Sequence, residues 1–246
     1  MFLRFQPLLQ SLFFLFGLEM ILFKPGSVIP ILVFLSLVSA YGGRKVGGKW
    51  FFAVLPVFFT LSSTALLYLI TLGFEQQIFI ALASAMYYLS MLGAYRLGIY
   101  AGDKTAKGMN MAAMATTIFF SYAGAYGLYL NFLVPLHYLM LAYLIVTLLV
   151  SYQYFLIIKS DGRKIVWTYS FLLALIMSEV VWTMNFWPFG YLTSGVIALI
   201  LYYVLWDLAQ SYFLGLLSKK RVVANMVFFS TMIILVLLSA KWLPVV

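Results

Sequence analysis

The sequence predicts an all-α polytopic membrane protein, and composition, hydropathy and the order of charges all indicate it. Of the 246 residues, 65% are hydrophobic and 9% are charged, and the mean hydropathy is +1.08. Such composition leaves too little charge to cover a soluble domain. Apolar runs of about 18 residues or more recur along the chain, without the alternation of a membrane barrel. We therefore expect one integral membrane domain over residues 1–246 and no soluble domain.

The chain contains nine apolar segments with short polar connections between them, and we interpret each segment as a transmembrane helix. The predicted segments are Leu3–Phe23, Val28–Tyr41, Trp50–Leu72, Glu75–Arg96, Met109–Leu130, Val134–Ile158, Ile165–Phe186, Phe189–Leu217 and Val222–Trp242. The second is short. The eighth is long enough that we expect it to tilt strongly or to break near Asp207–Ser211. Pro56 lies inside the third segment, where proline removes a helix hydrogen bond and predicts a kink.

The connections carry their basic residues asymmetrically, which predicts the orientation of the bundle. Strict alternation of nine spans places thirteen lysines and arginines on one side and only Lys24 and Lys241 on the other. The thirteen are Arg4, Arg44, Lys45, Lys49, Arg96, Lys104, Lys107, Lys159, Arg163, Lys164, Lys219, Lys220 and Arg221. Because basic residues gather in cytoplasmic loops, we expect the N-terminus inside and the C-terminus outside.

Small residues in the fourth and fifth segments predict close helix packing, because small side chains let helix backbones approach in lipid. They are Ala81, Ala83, Ser84 and Ala85, followed by Ser121, Ala123, Gly124, Ala125 and Gly127. These faces either form the centre of the bundle or bind a membrane-protein partner or a second copy. The lipid bilayer is the partner that the composition itself implies.

Glu179 is the leading candidate for chemistry, because ionisable groups inside a membrane are costly and are functional by default. It follows Lys164 by 15 residues, which corresponds to about 22 Å of helix rise. Within a hydrocarbon layer of about 30 Å, this position lies in the outer half. Such a carboxyl group suits proton uptake and release. The alternative is a neutral carboxyl group, or one hydrogen-bonded to Thr183, that serves only helix packing.

Three further residues complete a candidate intramembrane polar site with Glu179. His137, the only histidine, follows Pro135 at the start of the sixth span and either shares a proton with Glu179 or faces outer water. Glu19 lies near the outer end of the first span, where a local pair with Lys24 is the simpler interpretation. Asn185 lies in the aromatic turn after Glu179.

A second group of polar residues is expected near the inner membrane boundary. Asp207 follows Phe189 by 18 residues, or about 27 Å of helix, and can form an inner polar cluster with Gln210 and Asn225. An acid that reaches the membrane interface on its own is the alternative.

The sequence excludes several kinds of site. It contains no cysteine and one histidine, so we expect no metal, because zinc sites need three or four protein ligands. Neither a phosphate-binding G-x-x-x-x-G-K-[ST] loop nor an H-E-x-x-H motif occurs, and we expect no cofactor. The net charge of +9 follows from the cytoplasmic connections, and we expect no nucleic-acid partner.

The C-terminal third carries a resemblance to other proteins. Its features are Glu179 to Trp187, then Phe189-Gly190 and the run of Tyr202, Tyr203 and Trp206. This arrangement resembles that of uncharacterised multi-pass membrane proteins of small-genome bacteria, in which an acid, a tryptophan and a Phe-Trp-Pro-x-Gly turn precede a tyrosine-rich helix. The resemblance implies a bacterial inner (cell) membrane and no particular activity.

Three functions remain open from the sequence. We expect a small transporter or permease, in which Glu179 is a proton or cation site and His137 a possible partner. The first alternative is a non-enzymatic subunit or scaffold of a membrane complex. The second is a lipid-active intramembrane enzyme with Glu179 and His137 as acid and base. The sequence favours a role without catalysis.

Overall fold

In the computed structural model, which describes residues 5–132, 134–159 and 162–239, the chain is helical and contains no strand in these ranges. The described residues form nine successive α-helices. They are α1 (Gln6–Phe23), α2 (Val28–Gly47), α3 (Val54–Leu69), α4 (Gly73–Ile99), α5 (Lys104–Phe132), α6 (Leu136–Ile158), α7 (Arg163–Met184), α8 (Tyr191–Phe213) and α9 (Lys219–Ser239). The predicted all-α fold class is confirmed.

Eight helical segments of the described chain are long and apolar enough to cross a membrane. They comprise α1, α2, Trp50–Leu69, α4, α6, α7, α8 and Val222–Ser239. The remaining helix, α5, has 29 residues and is rich in alanine, glycine and threonine, which lowers its hydropathy. Lys241 and Trp242, at the predicted end of the last span, and Leu3 and Arg4, near the predicted start of the first, lie outside the described residues.

Three segments differ locally from the sequence prediction. α2 continues past Tyr41 to Gly47, so it is a full-length helix. Pro56 is the third residue of α3, directly after a 3-10 helix over Trp50–Ala53, so it lies in the first turn of an α-helix, where proline is tolerated, and not in mid-helix as predicted. α8 is unbroken through Asp207–Ser211 and ends at Phe213.

The chain divides into two compact units, Met1–Ser121 and Tyr122–Val246. In the first unit, α1 packs against α2 and α4, and α3 packs against α2 and α4. Its core contains Phe14 stacked on Tyr87, with ring centroids 4.4 Å apart. The Tyr87 hydroxyl donates to Ser39 Oγ over 2.9 Å, and Ser39 is hydrogen-bonded to Thr60 over the same distance. Because these residues come from four helices, the cluster joins α1 to α4.

In the second unit, α6 and α7 pack against each other and α8 packs against α6, α7 and α9. Gly195 of α8 faces Ala123 of α5 so closely that a Cβ atom added to Gly195 would lie 2.8 Å from the Cβ of Ala123. The small residues Ser121, Ala123, Gly124 and Gly127 of α5 are buried within the chain. By contrast, Ala81 and Ala85 of α4 are exposed.

Candidate functional site

Glu179 lies on the exposed side of α7. The opposite side of this helix is buried and includes Leu173, Met177, Ser178 and Val181. The exposed side carries a row of residues three or four positions apart, which we call the Glu179 face: Phe171, Leu175, Glu179 and Trp182. Helical periodicity explains why the exposed residues are separated from the buried ones, since residues three or four positions apart lie on one side of a helix with 3.6 residues per turn. One acid therefore stands in a row of exposed apolar side chains.

The direction of α7 makes this position unfavourable for a solitary carboxylate. Glu179 precedes the last helical residue, Met184, by five positions, or about 7.5 Å of rise. Helical side chains tilt toward the helix N-terminus. The side chain of Glu179 therefore points away from the nearer end of the helix. The C-terminal half of a helix also presents the negative end of its dipole. An isolated anion is costly here, which favours a partner.

Among the described residues no group donates a hydrogen bond to the carboxylate of Glu179. The Thr183 hydroxyl, one turn away, instead donates to the Val180 carbonyl oxygen over 2.7 Å. Thr183 therefore does not satisfy the acid in this structure, although sequence spacing allowed that pairing.

His137 is placed at a similar level on the neighbouring helix. The hydroxyl of Ser178 donates to the Met140 carbonyl oxygen over 3.2 Å, which sets the register of α6 against α7. His137 is exposed in the first turn of α6, and its ring lies 4.3 Å from that of Tyr138. In the described part of the chain, neither a hydrogen bond nor an ion pair joins His137 to Glu179.

Glu19 and Asn185 are the other two members of the predicted intramembrane site. Glu19 of α1 is partly buried and accepts a hydrogen bond from Gln77 Nε2 of α4 over 3.3 Å. Within the described ranges it forms no ion pair with Lys24. Asn185 follows the end of α7, and its backbone N–H donates to the Val181 carbonyl oxygen over 3.1 Å. Glu19 thus lies in the first unit, whereas Asn185 and Glu179 belong to the second.

Two members of the predicted inner cluster are brought together by the structure. Asn225 Nδ2 of α9 donates to Asp207 Oδ2 of α8 over 2.5 Å. The rings of Tyr203 and Phe229, 5.4 Å apart, form a second contact between these helices. Gln210 is partly buried, and its enclosed Oε1 accepts no hydrogen bond from any described group. The Asp207–Asn225 bond therefore connects α9 to α8 without including Gln210.

The interior contains a network of tyrosine and threonine hydroxyls that sequence reasoning missed. Tyr122 and Tyr143 stack with ring centroids 4.1 Å apart and planes 3° apart. Tyr122 and Thr147 hydroxyls are 2.6 Å apart, and the Tyr143 hydroxyl donates to the Tyr122 carbonyl oxygen over 3.1 Å. Tyr202 and Ser151 form a similar pair at 2.9 Å. In the sequence, the tyrosines of α5 stand among small residues, and ordinary helix packing produces the same pattern.

The buried polar side chains among the described residues are neutral. They are serines, threonines, Asn110 and Gln153, together with the buried tyrosines. In that part of the chain, no aspartate, glutamate, lysine, arginine or histidine is buried. Hydroxyls that bond to one another or to carbonyl oxygens satisfy backbone and side-chain groups without the cost of burying a charge. The arrangement stabilises helix packing and offers no interior ionic site.

Asp103, which sequence reasoning also missed, organises the connection between α4 and α5. Its Oδ1 accepts the Ala106 backbone N–H over 3.1 Å, and its Oδ2 accepts Arg96 Nε over 2.7 Å. The Ala106 N–H, followed by the Arg96 guanidinium, holds the pKa of Asp103 below its usual range. The signal was an aspartate just before a helix, the usual N-cap position.

The described residues offer no group of three potential metal ligands from histidine, cysteine, aspartate and glutamate. The eight long apolar helical segments and the neutral interior of the described residues define the class of the protein: a multi-pass helical membrane protein.

Comparison with known proteins then gives the family. Residues 36–239 match the family described as "Protein of unknown function (DUF5656)", and the chain belongs to that family. No curated protein and no solved structure matches the chain.

Proposed function

We propose that the chain is a non-enzymatic subunit of an integral membrane complex. In this proposal the Glu179 face binds a transmembrane helix of a partner protein, and that helix presents a lysine or arginine to Glu179. The observation that carries the proposal is an exposed, unbonded carboxylate within a row of apolar side chains. A cation on a partner helix would compensate the cost of this anion in the membrane.

The neutrality of the described interior supports a binding role over a transport pathway. A proton or cation route built into a bundle commonly uses ionisable groups that face its interior or a water-filled cavity. Here the acid that the sequence identified faces outward, and the buried polar groups are hydroxyls and amides. The interior therefore supports packing, and the exposed surface carries the residue most in need of a partner.

Site-specific photocrosslinking in native membranes tests the proposal. A photoreactive amino acid at Leu175, one turn from Glu179, should form one discrete adduct. The crosslinked peptide should lie in a transmembrane segment that contains lysine or arginine. Glu179→Gln should reduce the adduct strongly, because the neutral side chain removes the charge attraction.

Two controls make the crosslinking result specific. The same photoreactive residue at Leu82, which is exposed on α4, should not capture this partner. Adducts to lipid only, to a second copy of the chain, or to a protein whose capture is independent of Glu179 would each overturn the proposal.

The permease hypothesis uses the same carboxylate and is the alternative. Exposure of Glu179 is compatible with proton exchange if water reaches its depth. Reconstituted liposomes containing a pH-sensitive dye distinguish the two functions. Proton flux that the wild-type protein supports and that Glu179→Gln abolishes would favour the permease. The lipid-active enzyme hypothesis requires a substrate that bridges Glu179 and His137, because no hydrogen bond joins those residues.

A further inference from the structure

An apolar groove of about 430 Å³ opens between α7, α8 and the beginning of α9. Its walls include Tyr169, Leu172, Ile176, Leu208, Tyr212 and Val222. Leu172 and Tyr212 are about half exposed, so the groove is accessible from the side of the bundle. The volume falls in the range of cavities that bind small organic groups. An elongated hydrocarbon chain suits walls of this composition.

Basic side chains rim one end of the groove. Lys219 and Lys220 are exposed in the first turn of α9, three and two residues before the groove residue Val222, respectively. Arg163 and Lys164 are exposed at the start of α7, about 8 to 9 Å of helix before Tyr169. The connections 159–164 and 219–221 together carry six basic residues and one acid, Asp161, and the carboxylate of Asp207 on α8 accepts a hydrogen bond from Asn225. The potential at this end is therefore positive.

A series of side-chain contacts connects a further cation, Lys159, to the tyrosines of the groove. The ammonium group of Lys159 lies 5.4 Å from the centroid of the Phe213 ring. Phe213 contacts Tyr169 edge-on at 5.2 Å, and Tyr169 stacks on Tyr212 at the same distance. The two tyrosines line the groove, so aromatic rings separate its apolar part from the cations. Tyrosine at such a boundary is typical of the headgroup level of a membrane.

The backbone between α8 and α9 makes this arrangement possible. Gly215 has a φ of +66°, a left-handed conformation that favours glycine. Its backbone N–H donates to the Tyr212 carbonyl oxygen over 3.1 Å, and Leu216 N–H donates to the Ser211 carbonyl oxygen over 2.9 Å. These bonds end α8, and α9 begins four residues after Gly215, so Lys219 and Lys220 come two and three residues after the groove residue Leu217.

We propose that this groove is a binding site for an anionic phospholipid. One acyl chain lies along the apolar walls, and the phosphate group is held by the basic rim, principally by Lys219 and Lys220. Charge complementarity selects an anionic over a zwitterionic headgroup, and basic pockets between transmembrane helices are suited to such lipids. Leu172 and Ile176 precede Glu179 by seven and three residues, so the groove adjoins the Glu179 face. The basic residues of the proposed lipid site do not include Glu179, so either proposal can fail without the other.

Lipid retention by the purified protein tests this site. The full chain is reconstituted in nanodiscs of equal parts dioleoyl phosphatidylglycerol and dioleoyl phosphatidylcholine, extracted gently, and analysed for bound lipid by native mass spectrometry. Phosphatidylglycerol should be retained preferentially. Lys219→Gln with Lys220→Gln should reduce that preference by about fivefold for each charge removed.

A second variant and a matched control separate the groove from general attraction to anionic membranes. Leu172→Trp, at an exposed wall position, should lower retention of both lipids by filling the groove. The control Lys104→Gln with Lys107→Gln removes two charges from the start of α5 and should leave the preference unchanged. Unaltered thermal unfolding temperatures verify that the variants fold.

Three results would overturn the proposal: equal retention of the two lipids, the same loss in the Lys104/Lys107 control, and no effect of Leu172→Trp. Competition by inorganic phosphate as effective as competition by phosphatidylglycerol would also overturn it, because the acyl chain would then have no role.

Discussion

The Ser178 hydroxyl donates a hydrogen bond to the Met140 carbonyl oxygen over 3.2 Å, whereas the next residue of α7, Glu179, is exposed. Ser178 therefore belongs to the side of α7 that contacts α6, together with the buried residues Met177 and Val181. This packing of α7 leaves the carboxyl group of Glu179 at the surface of the bundle.

Replacing Glu179 by leucine should preserve or raise the thermal stability of the purified protein. The change removes an unpaired acid from an apolar face, and a charge at membrane depth costs about 2.5–3.5 kcal/mol on insertion scales. Thermal unfolding in lipid nanodiscs measures the effect. Glu75→Leu, at the exposed first turn of α4, is the matched control and should give a smaller gain. Marked destabilisation by Glu179→Leu would show that the acid has a structural partner.

Gly195→Ala should destabilise the second unit, because the added Cβ would meet Ala123 at 2.8 Å. Overpacking of this kind costs about 1–3 kcal/mol. Gly190→Ala is the control, since a Cβ there has no neighbouring atom within 4 Å. Unfolding temperatures of the two variants should differ clearly. Equal temperatures would contradict the close approach of α5 and α8.

Tyr122→Phe should cost about 0.6 kcal/mol, the average for hydrogen bonds between transmembrane helices, and no more than about 1.7 kcal/mol, the largest value for such bonds. The loss stays modest because Thr147 still donates to the Tyr143 carbonyl oxygen. Equilibrium unfolding in mixed micelles measures it. Tyr138→Phe removes the hydroxyl of an exposed tyrosine and should be neutral. If both changes had the same effect, the buried hydroxyl pair would not stabilise the fold.

Asp103 should make stability depend on pH in the acidic range. Because its pKa is lowered in the folded state, its contribution is fully present above the unfolded pKa of about 3.9 and is lost as pH falls through the folded pKa. Asp103→Asn keeps an N-cap residue but removes the ion pair with Arg96.

Thermal unfolding of wild type and Asp103→Asn between pH 7 and pH 2 measures this contribution. The two curves should differ at neutral pH and converge as the solution becomes acidic. Parallel curves for wild type and Asp103→Asn would contradict the assignment.

The sequence by itself determined the helical membrane class and most of the segments. Long apolar runs that cross lipid form helices, because a helix satisfies the hydrogen bonds of its own backbone. Local signals also located the polar turns and singled out Glu179, Asp207 and Asn225. The sequence predicted helix ends less well. The second segment was predicted to end at Tyr41, but α2 continues through Gly42 and Gly43, where the glycines pack closely on neighbouring side chains and backbone. Glycine in that setting did not end the helix.

Only the tertiary structure decided which face each polar residue occupies. Sequence periodicity places Ser178 and Glu179 100° apart around one helix, but it does not state which of them meets α6. Helical spacing also allowed a hydrogen bond between Glu179 and Thr183 as one alternative, whereas the Thr183 hydroxyl bonds to the Val180 backbone. The Tyr122–Thr147 pair and the walls of the apolar groove at Tyr169 each consist of residues that are distant in sequence. Such contacts depend on packing between helices, and packing is the physical information that one-dimensional patterns lack.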